Sequence, residues 1–344
     1  QRQMCIRDSA QGVFSENPQH PGAAHYLIHG VDDPVHAVLG LRAARALASM
    51  APDAGHSQHM TSHIFVAVGM WDDVVAANEA AVKVANAMRV EQGGAARSWG
   101  HYNFWLLYGY LQQGRDKRAL ELLKAAYGEA QADGKAPEDR MILDPDRSMV
   151  GSVVQMWARY IIETRAWDSP IVDWSFKIGD AFDPNLTVSF IRTLQAAFAG
   201  QVAQAGQYHG QFRVLLAGLE AELARQPEQA PTDLLYLDRL RVMDQELLAA
   251  IEMARGEMAA AATHAREASR LEGEMPFSFG PPFVDLPSAE FLGDLLMASR
   301  QYAEAASAYE LQLERTRLKP LALEGLARAQ QQLGRDADAQ YTRA

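Results

Sequence analysis

Six histidines in two short segments are the residues whose type and spacing point most directly to chemistry. The 344-residue chain has ten histidines, and "HPGAAHYLIHGVDDP" (20–34) and "GHSQHMTSHIF" (55–65) carry three each. Each segment contains a pair spaced i, i+4, which on a helix lies on one face with Cβ atoms about 5–6 Å apart. Two such imidazoles can share a metal ion at about 2.0–2.1 Å. The pairs are His25 with His29 and His59 with His63.

A shared metal site is the chemistry that this pattern favours. Imidazole clusters suit Zn, Cu, Fe or Ni, and the single cysteine, Cys5, lies outside the cluster, so no thiolate selects among them. The alternative is a metal-free group that shuttles protons or senses pH, because close histidines repel when protonated. We predict a divalent transition metal (Zn, Cu or Fe) with ligands ranked as His59 and His63, then His25 and His29, then His56 and His101.

Neighbouring residues are expected to support this site. Asp32 is predicted to orient a histidine ring or to complete the coordination shell. The competing structural use is a helix N-cap, in which Asp33 precedes Pro34. Tyr26, with Tyr102 and Trp105, is expected to line the site or to pack in the core.

The other histidines are expected to be ordinary residues. His36, His209 and His264 are predicted to be solvated or packed, and His20 precedes Pro21 at a helix start. The sequence has no glycine-rich phosphate loop, no GxSxG elbow and no HExxH motif. The catalytic residues and the reaction are therefore not predicted, and whether the protein is an enzyme stays open.

The elements that must position these residues are predicted to be helices. Alanine is abundant, β-branched runs are scarce, and 48% of the residues are hydrophobic, which is typical of an all-α fold. The formal net charge of −11 argues against a nucleic-acid partner, and no apolar window is long enough for membrane insertion.

A recurring turn indicates helical hairpins. An apolar segment ends at a glycine, and a small residue follows five positions later, which permits close helix packing. Looser versions are Gly69 with Val74, Arg165 with Pro170 and Arg300 with Ala305, and Gly30 is expected to mark the first turn. The clear examples are Gly114/Ala119, Gly200/Ala205, Gly256/Ala261 and Gly334/Ala339.

This pattern resembles tetratricopeptide repeats, most clearly in "SRQYAEAASAYELQLERTRLKP" and "LALEGLARAQQQLGRDADAQYTRA". The resemblance implies a right-handed α-solenoid in which stacked hairpins share one core. The two histidine segments also resemble a bacterial family of larger repeat proteins with the motifs HPGAxHYxIH and HxxHMPSHIY, although Thr61 stands where that family has proline. Its members often carry an upstream helical region behind an export signal. This resemblance implies an exported or periplasmic protein whose N-terminus is missing here, and it supplies no reaction.

Repeat register places the histidines on one face. If Gly69 and Gly114 are turn positions, then His56, His59, His63 and His101 point into the concave groove. By the same count from Gly30, His25 would lie level with His63.

The chain is divided as residues 1–9, a segment of non-native character; 10–125, hairpins with the histidine cluster; 126–272, longer irregular hairpins; 273–287, an ordered loop; and 288–344, C-terminal hairpins. Two further functions stay open beside a metalloenzyme. One is a scaffold that binds a peptide or protein in the groove, and the other is a metal store or carrier.

Overall fold

The computed structural model describes residues 2–226 and 230–343, with side chains for 7–226 and 230–342. Cys5 therefore lies outside the described side chains. Within these residues the chain forms sixteen α-helices and three short 3-10 helices (Ala37–Gly40, Pro145–Arg147, Pro170–Asp173), without a strand. The α-helices are α1 Arg2–Glu16, α2 Pro21–Gly30, α3 Leu41–Met50, α4 Gly55–Val68, α5 Trp71–Glu91, α6 His101–Gln112, α7 Asp116–Asp133, α8 Met149–Thr164, α9 Phe182–Phe198, α10 Val202–Leu223, α11 Pro231–Ala254, α12 Met258–Glu274, α13 Ser288–Ala298, α14 Tyr302–Arg315, α15 Pro320–Gln332 and α16 Asp336–Arg343.

Most consecutive helices pack against each other, as helical hairpins require. The predicted all-α fold of helical hairpins is confirmed. None of the described helices is long and apolar enough to cross a membrane. Residues 2–9 belong to α1, and their non-native origin stays a prediction.

The predicted turns are the points where the backbone enters the left-handed region. Gly69 has φ 76°, and the amide of Met70 donates to the carbonyl of Phe65 at 2.8 Å, which closes the end of α4. Gly114, Gly200, Gly256 and Gly334 also have positive φ, as do Arg165 (53°) and Arg300 (58°). The small residues five positions after the predicted glycine turns and after Arg300 are buried, namely Val74, Ala119, Ala205, Ala261, Ala305 and Ala339.

Gly30 does not mark such a turn, and this prediction is wrong. Gly30 is the last residue of α2 and is not among the positive-φ glycines. The chain takes ten residues, through the 3-10 helix Ala37–Gly40, before α3 begins at Leu41. The first hairpin therefore has a long connection, and the register counted from Gly30 does not apply.

The described chain forms two compact units. The first consists of Gln1–Ala126, Phe277–Pro281 and Glu314–Lys319, and the second of Tyr127–Pro276, Pro282–Leu313 and Pro320–Ala344. In the first unit, α4 packs against α2, α3 and α5. Because neighbours surround it, α4 buries polar as well as apolar residues, and its predicted packing residue Phe65 is buried.

The buried polar side chains of α4 bond locally. The Gln58 amide donates to the carbonyls of Ala48 and Ala51, at 2.8 and 3.1 Å. The Ser62 hydroxyl donates to the His59 carbonyl at 2.6 Å. These bonds satisfy the buried polar groups of Gln58 and Ser62 within the fold.

The second unit contains α8–α13, α15, α16 and most of α14, and many of these helices pack as neighbours. Its interior holds a charged network in which Arg159 donates to the backbone carbonyls of Asp285 and Pro282 at 2.9 and 2.7 Å. Arg239 donates to the carboxylate of Asp285. These bonds fix the part of the 275–287 connection that belongs to this unit.

Candidate metal centre

Helices α4 and α6 bring three imidazoles together in the first unit. His59 and His63 lie one turn apart on α4, with 1% and 3% of each residue exposed, and half-buried His101 begins α6. The Nε2 atom of His59 lies 3.2 Å from Nε2 of His63 and 2.9 Å from Nε2 of His101. Ligand atoms of all three residues lie within 4.8 Å of one another, so the group could hold a metal ion.

These distances are close to those of a coordination shell. Two nitrogens at the usual Zn–N distance, in a tetrahedron, lie about 3.3–3.4 Å apart. The observed Nε2 separations of 3.2 and 2.9 Å require only small ring movements to match this value. All three ligand atoms lie within 4.8 Å of one another, so the third separation also lies within reach of a shared ion after ring rotation.

The opposite nitrogens of His59 and His63 are held by buried acceptors. Asn78 on α5 donates its Nδ2 to the carbonyl of Val74 at 2.9 Å, which orients its Oδ1 towards Nδ1 of His59, 2.8 Å away. His59 Nδ1–H therefore donates to Asn78, and the lone pair of the neutral ring is on Nε2. Asp32 Oδ2 lies 2.6 Å from Nδ1 of His63, and both side chains are buried. Such partners orient imidazole ligands and raise their basicity.

The electrostatics of the group favour neutral imidazoles. Burial lowers the pKa of His59 well below its usual range, and the neighbouring charges of His101 and His63 lower it further. Burial and then His101 lower the pKa of His63 in the same way. Burial raises the pKa of Asp32 to about 7, against an opposing effect of His29. Unprotonated Nε2 atoms are the form that binds a metal.

Aromatic rings enclose the three histidines. The Trp105 ring lies 4.7 Å from the His59 ring and 4.5 Å from the His63 ring, and Tyr102 lies 4.9 Å from His59. Phe279, in the 277–281 segment, lies 5.0 Å from the His63 ring and is 49% exposed. These side chains make a largely apolar wall, which shields a bound ion from competing solvent.

A second, more exposed group lies next to the first. Nε2 of His25 on α2 lies 3.2 Å from Nε2 of His56 on α4. The His29 ring is 4.8 Å from the His25 ring and 5.9 Å from the His63 ring. Tyr26, which was expected to line the site or to pack in the core, is 60% exposed, with its ring 5.8 Å from that of His25.

The structure thus brings all six predicted histidines into one region and divides them into two groups. His101, which was ranked last from the sequence, lies in one group with His59 and His63. His25 and His29 lie in the other group, with His56. The expected level pairing of His25 with His63 is wrong: His25 lies beside His56, and the α2 residue whose ring contacts His63 is His29, at 5.9 Å. The long connection after Gly30 is the reason, because it changes the offset between α2 and α4.

Two residues of the site were missed from the sequence. Asn78 had a signal, since it is a polar residue on the buried face of α5, between Val74 and Ala81. Phe279 had only the general prediction of an ordered loop. Gly280 explains how this loop approaches: its φ is 88°, and a Cβ there would collide with the Trp105 ring.

The other histidines have separate partners, in keeping with the roles expected for them. The His20 Nδ1 accepts from the amide of Ala23 and caps α2. His36 contacts Asp33, which also accepts from the amides of Val35 and His36. His209 pairs with Asp244 and His264 with Gln245.

Comparison with known proteins does not assign a family. No protein-family model matches the chain, and no curated protein matches it. Seventeen chains of solved structures match, among them one from the structure of Naa15/Naa10 bound to HypK-THB. That match has 12% identity and a TM-score of 0.21, and it covers 98% of this chain and 64% of the other. The fold assignment rests on the helices and their packing described above.

Proposed function

We propose that the first unit is a metal-binding module in which His59, His63 and His101 ligate a divalent transition metal. The observation that carries this proposal is the convergence of three Nε2 atoms, with the Nδ1 atoms of His59 and His63 held by Asn78 and Asp32. Unprotonated nitrogens that face each other at about 3 Å repel unless a proton or a cation lies between them. A cation satisfies all three at once.

Zn²⁺ is the ion that we propose first. Three imidazole ligands with an open fourth position are a pattern of catalytic zinc sites, and Cu and Fe also accept imidazole. The proposed set of ligands contains no carboxylate, since it consists of His59, His63 and His101. Such a sphere suits an ion that retains one water.

The same arrangement supports metal-assisted hydrolysis as the reaction class. A three-histidine zinc ion supplies a bound water that ionises near pH 7. In this protein Asp32 would hold the His63 ring in place, and Trp105 and Phe279 would exclude bulk water from one side. A storage or carrier role uses the same ligands and would show a bound ion without turnover.

Elemental analysis and metal-dependent thermal unfolding test the proposal. Protein freed of metal with a chelator and then given Zn²⁺ at 100 times its Kd should gain about 2.7 kcal/mol of stability. The His59→Ala/His63→Ala variant should lose most of this gain, whereas His209→Ala/His264→Ala, a matched pair with separate partners, should keep it. Absence of metal from the purified protein, together with equal responses of the three proteins to Zn²⁺, would refute the proposal.

A peptide-binding scaffold is the second candidate function. It is favoured by the exposed aromatic side chains Tyr26 and Phe279, which stand beside the histidines of the first unit. Affinity capture of partners with and without a chelator separates the two functions. A single defined partner whose binding ignores the chelator would favour the scaffold.

A further inference from the structure

His25 and His56 form a contact that the three-histidine centre does not explain. They come from different helices, α2 and α4, yet their Nε2 atoms lie 3.2 Å apart. Their ring centroids are 5.2 Å apart. Two imidazoles bound to one tetrahedral ion through Nε2 would have a similar nitrogen separation, about 3.3–3.4 Å. The pair therefore already has the spacing of two ligands.

His29 is the third imidazole of this group. It lies one turn after His25 on the same face of α2, with a ring separation of 4.8 Å. It is exposed, so its ring is free to adjust towards an ion held by His25 and His56.

Asp32, the partner of His63, has one buried oxygen without a hydrogen-bond partner. One of its oxygens, Oδ2, contacts His63, but the other, Oδ1, is buried without a hydrogen-bond partner. Its carboxylate acts electrostatically on His29. An unpaired buried carboxylate oxygen is costly unless a cation or water satisfies it.

The remaining histidines show what an ordinary histidine does in this fold. His36 and His209 each contact a carboxylate, and His264 contacts an amide oxygen. In contrast, Nε2 of His25 contacts another imidazole nitrogen, Nε2 of His56. These two nitrogens must share a proton or an ion. A simple imidazole–imidazole hydrogen bond is the competing explanation, and it requires no third ligand.

We propose that His25, His56 and His29 form a second position for a divalent transition metal, beside the buried centre and distinct in its imidazole ligands. This inference extends the proposed metal-binding function of the first unit. Because His29 and His56 are exposed, the second ion keeps water ligands and binds more weakly than an ion at His59, His63 and His101. The module then carries a tight buried ion and an exchangeable outer ion.

Calorimetric titration of the metal-free full chain with Zn²⁺ tests this inference. The wild type should bind two ions in two steps of different affinity. His25→Ala/His56→Ala should lose the weaker step, with the tighter Kd unchanged within about twofold, since the two positions share no imidazole. His59→Ala/His63→Ala should lose the tighter step and retain the weaker one. His36→Ala serves as a control for adventitious surface binding and should retain both steps.

Other outcomes would overturn the inference in distinguishable ways. One step in the wild type that is unchanged in His25→Ala/His56→Ala means that the outer position does not bind metal, while the buried centre stands. Loss of both steps in that variant means that a single site uses both groups. Absence of binding in the wild type removes this inference and the proposed function together. Should circular dichroism show that the alanine variant is unfolded, His25→Gln/His56→Gln replaces it.

Discussion

Asp32→Asn tests whether the buried partner of His63 supports metal binding. The Oδ2 atom of Asp32 lies 2.6 Å from Nδ1 of His63, and each side chain is 3% exposed. When an ion occupies Nε2, the imidazole N–H donates to a charged carboxylate, and such a charge-assisted bond contributes about 1.5–3 kcal/mol. The variant should therefore bind Zn²⁺ about 10–100-fold more weakly, which is the usual effect of losing an outer partner of a ligand.

The assay is a competition titration with a chromophoric chelator, which measures Kd directly. Asp33→Asn is the matched control, because Asp33 is the neighbouring carboxylate and contacts His36 rather than His63. The substituted asparagine keeps an oxygen that can accept from the amides of the turn. It should leave the Zn²⁺ affinity unchanged. If Asp32→Asn and Asp33→Asn bind Zn²⁺ equally well, Asp32 does not act on the metal through His63, and the reasoning is wrong.

Three further substitutions give predictions of different kinds. His101→Ala should weaken Zn²⁺ binding by more than the roughly 100-fold caused by loss of an outer partner; a smaller effect in the same titration would show that it is not a ligand. Gly280→Ala should lower the free energy of unfolding by about 1–3 kcal/mol, because its φ is 88° and its Cβ would meet Trp105. Unchanged denaturant stability and tryptophan fluorescence would argue against that packing. Glu246 is fully buried, and burial raises its pKa well above the usual 4.5. As the pH rises, its carboxyl group therefore keeps its proton in the folded protein after it has lost it in the unfolded chain. Relative to Glu246→Gln, wild-type stability should fall by about 1.4 kcal/mol per pH unit above pH 5 until the folded carboxyl itself ionises; parallel stability curves would contradict this.

Local features of the fold could be predicted from the sequence. Gly69 ends α4 in the left-handed region, and Arg165 and Arg300 do the same after α8 and α13, although they are not glycines. A helix end is closed by bonds among a few consecutive residues, so the residue pattern contains the necessary information. Gly30 failed because α2 ends there without a left-handed residue, and the chain continues through a turn at Asp33 and a 3-10 helix before α3 begins.

The histidine site could be located from the sequence but not divided into its parts. The i, i+4 spacing shows that His59 and His63 share a face, which is a property of one helix. The contact of His25 with His56 spans 31 residues, as does that of Asp32 with His63. Such pairings depend on the offset between α2 and α4, which a 10-residue connection sets and which periodicity does not reveal. Asn78 was missed for the same reason, since its partner lies 19 residues away.

X-ray absorption spectroscopy of the full chain loaded with one equivalent of Zn²⁺ is the most direct test of the central claim. A centre formed by His59, His63 and His101 predicts about three imidazole nitrogens at about 2.0–2.1 Å, with one further light-atom ligand. In a His25→Ala/His56→Ala background, which removes the outer position, the outer-shell scattering of the imidazole rings should fall by about two thirds when His59→Ala/His63→Ala is added, in proportion to the ligands removed. A shell without imidazole scattering, or the same spectrum in wild type and variant, would contradict the claim.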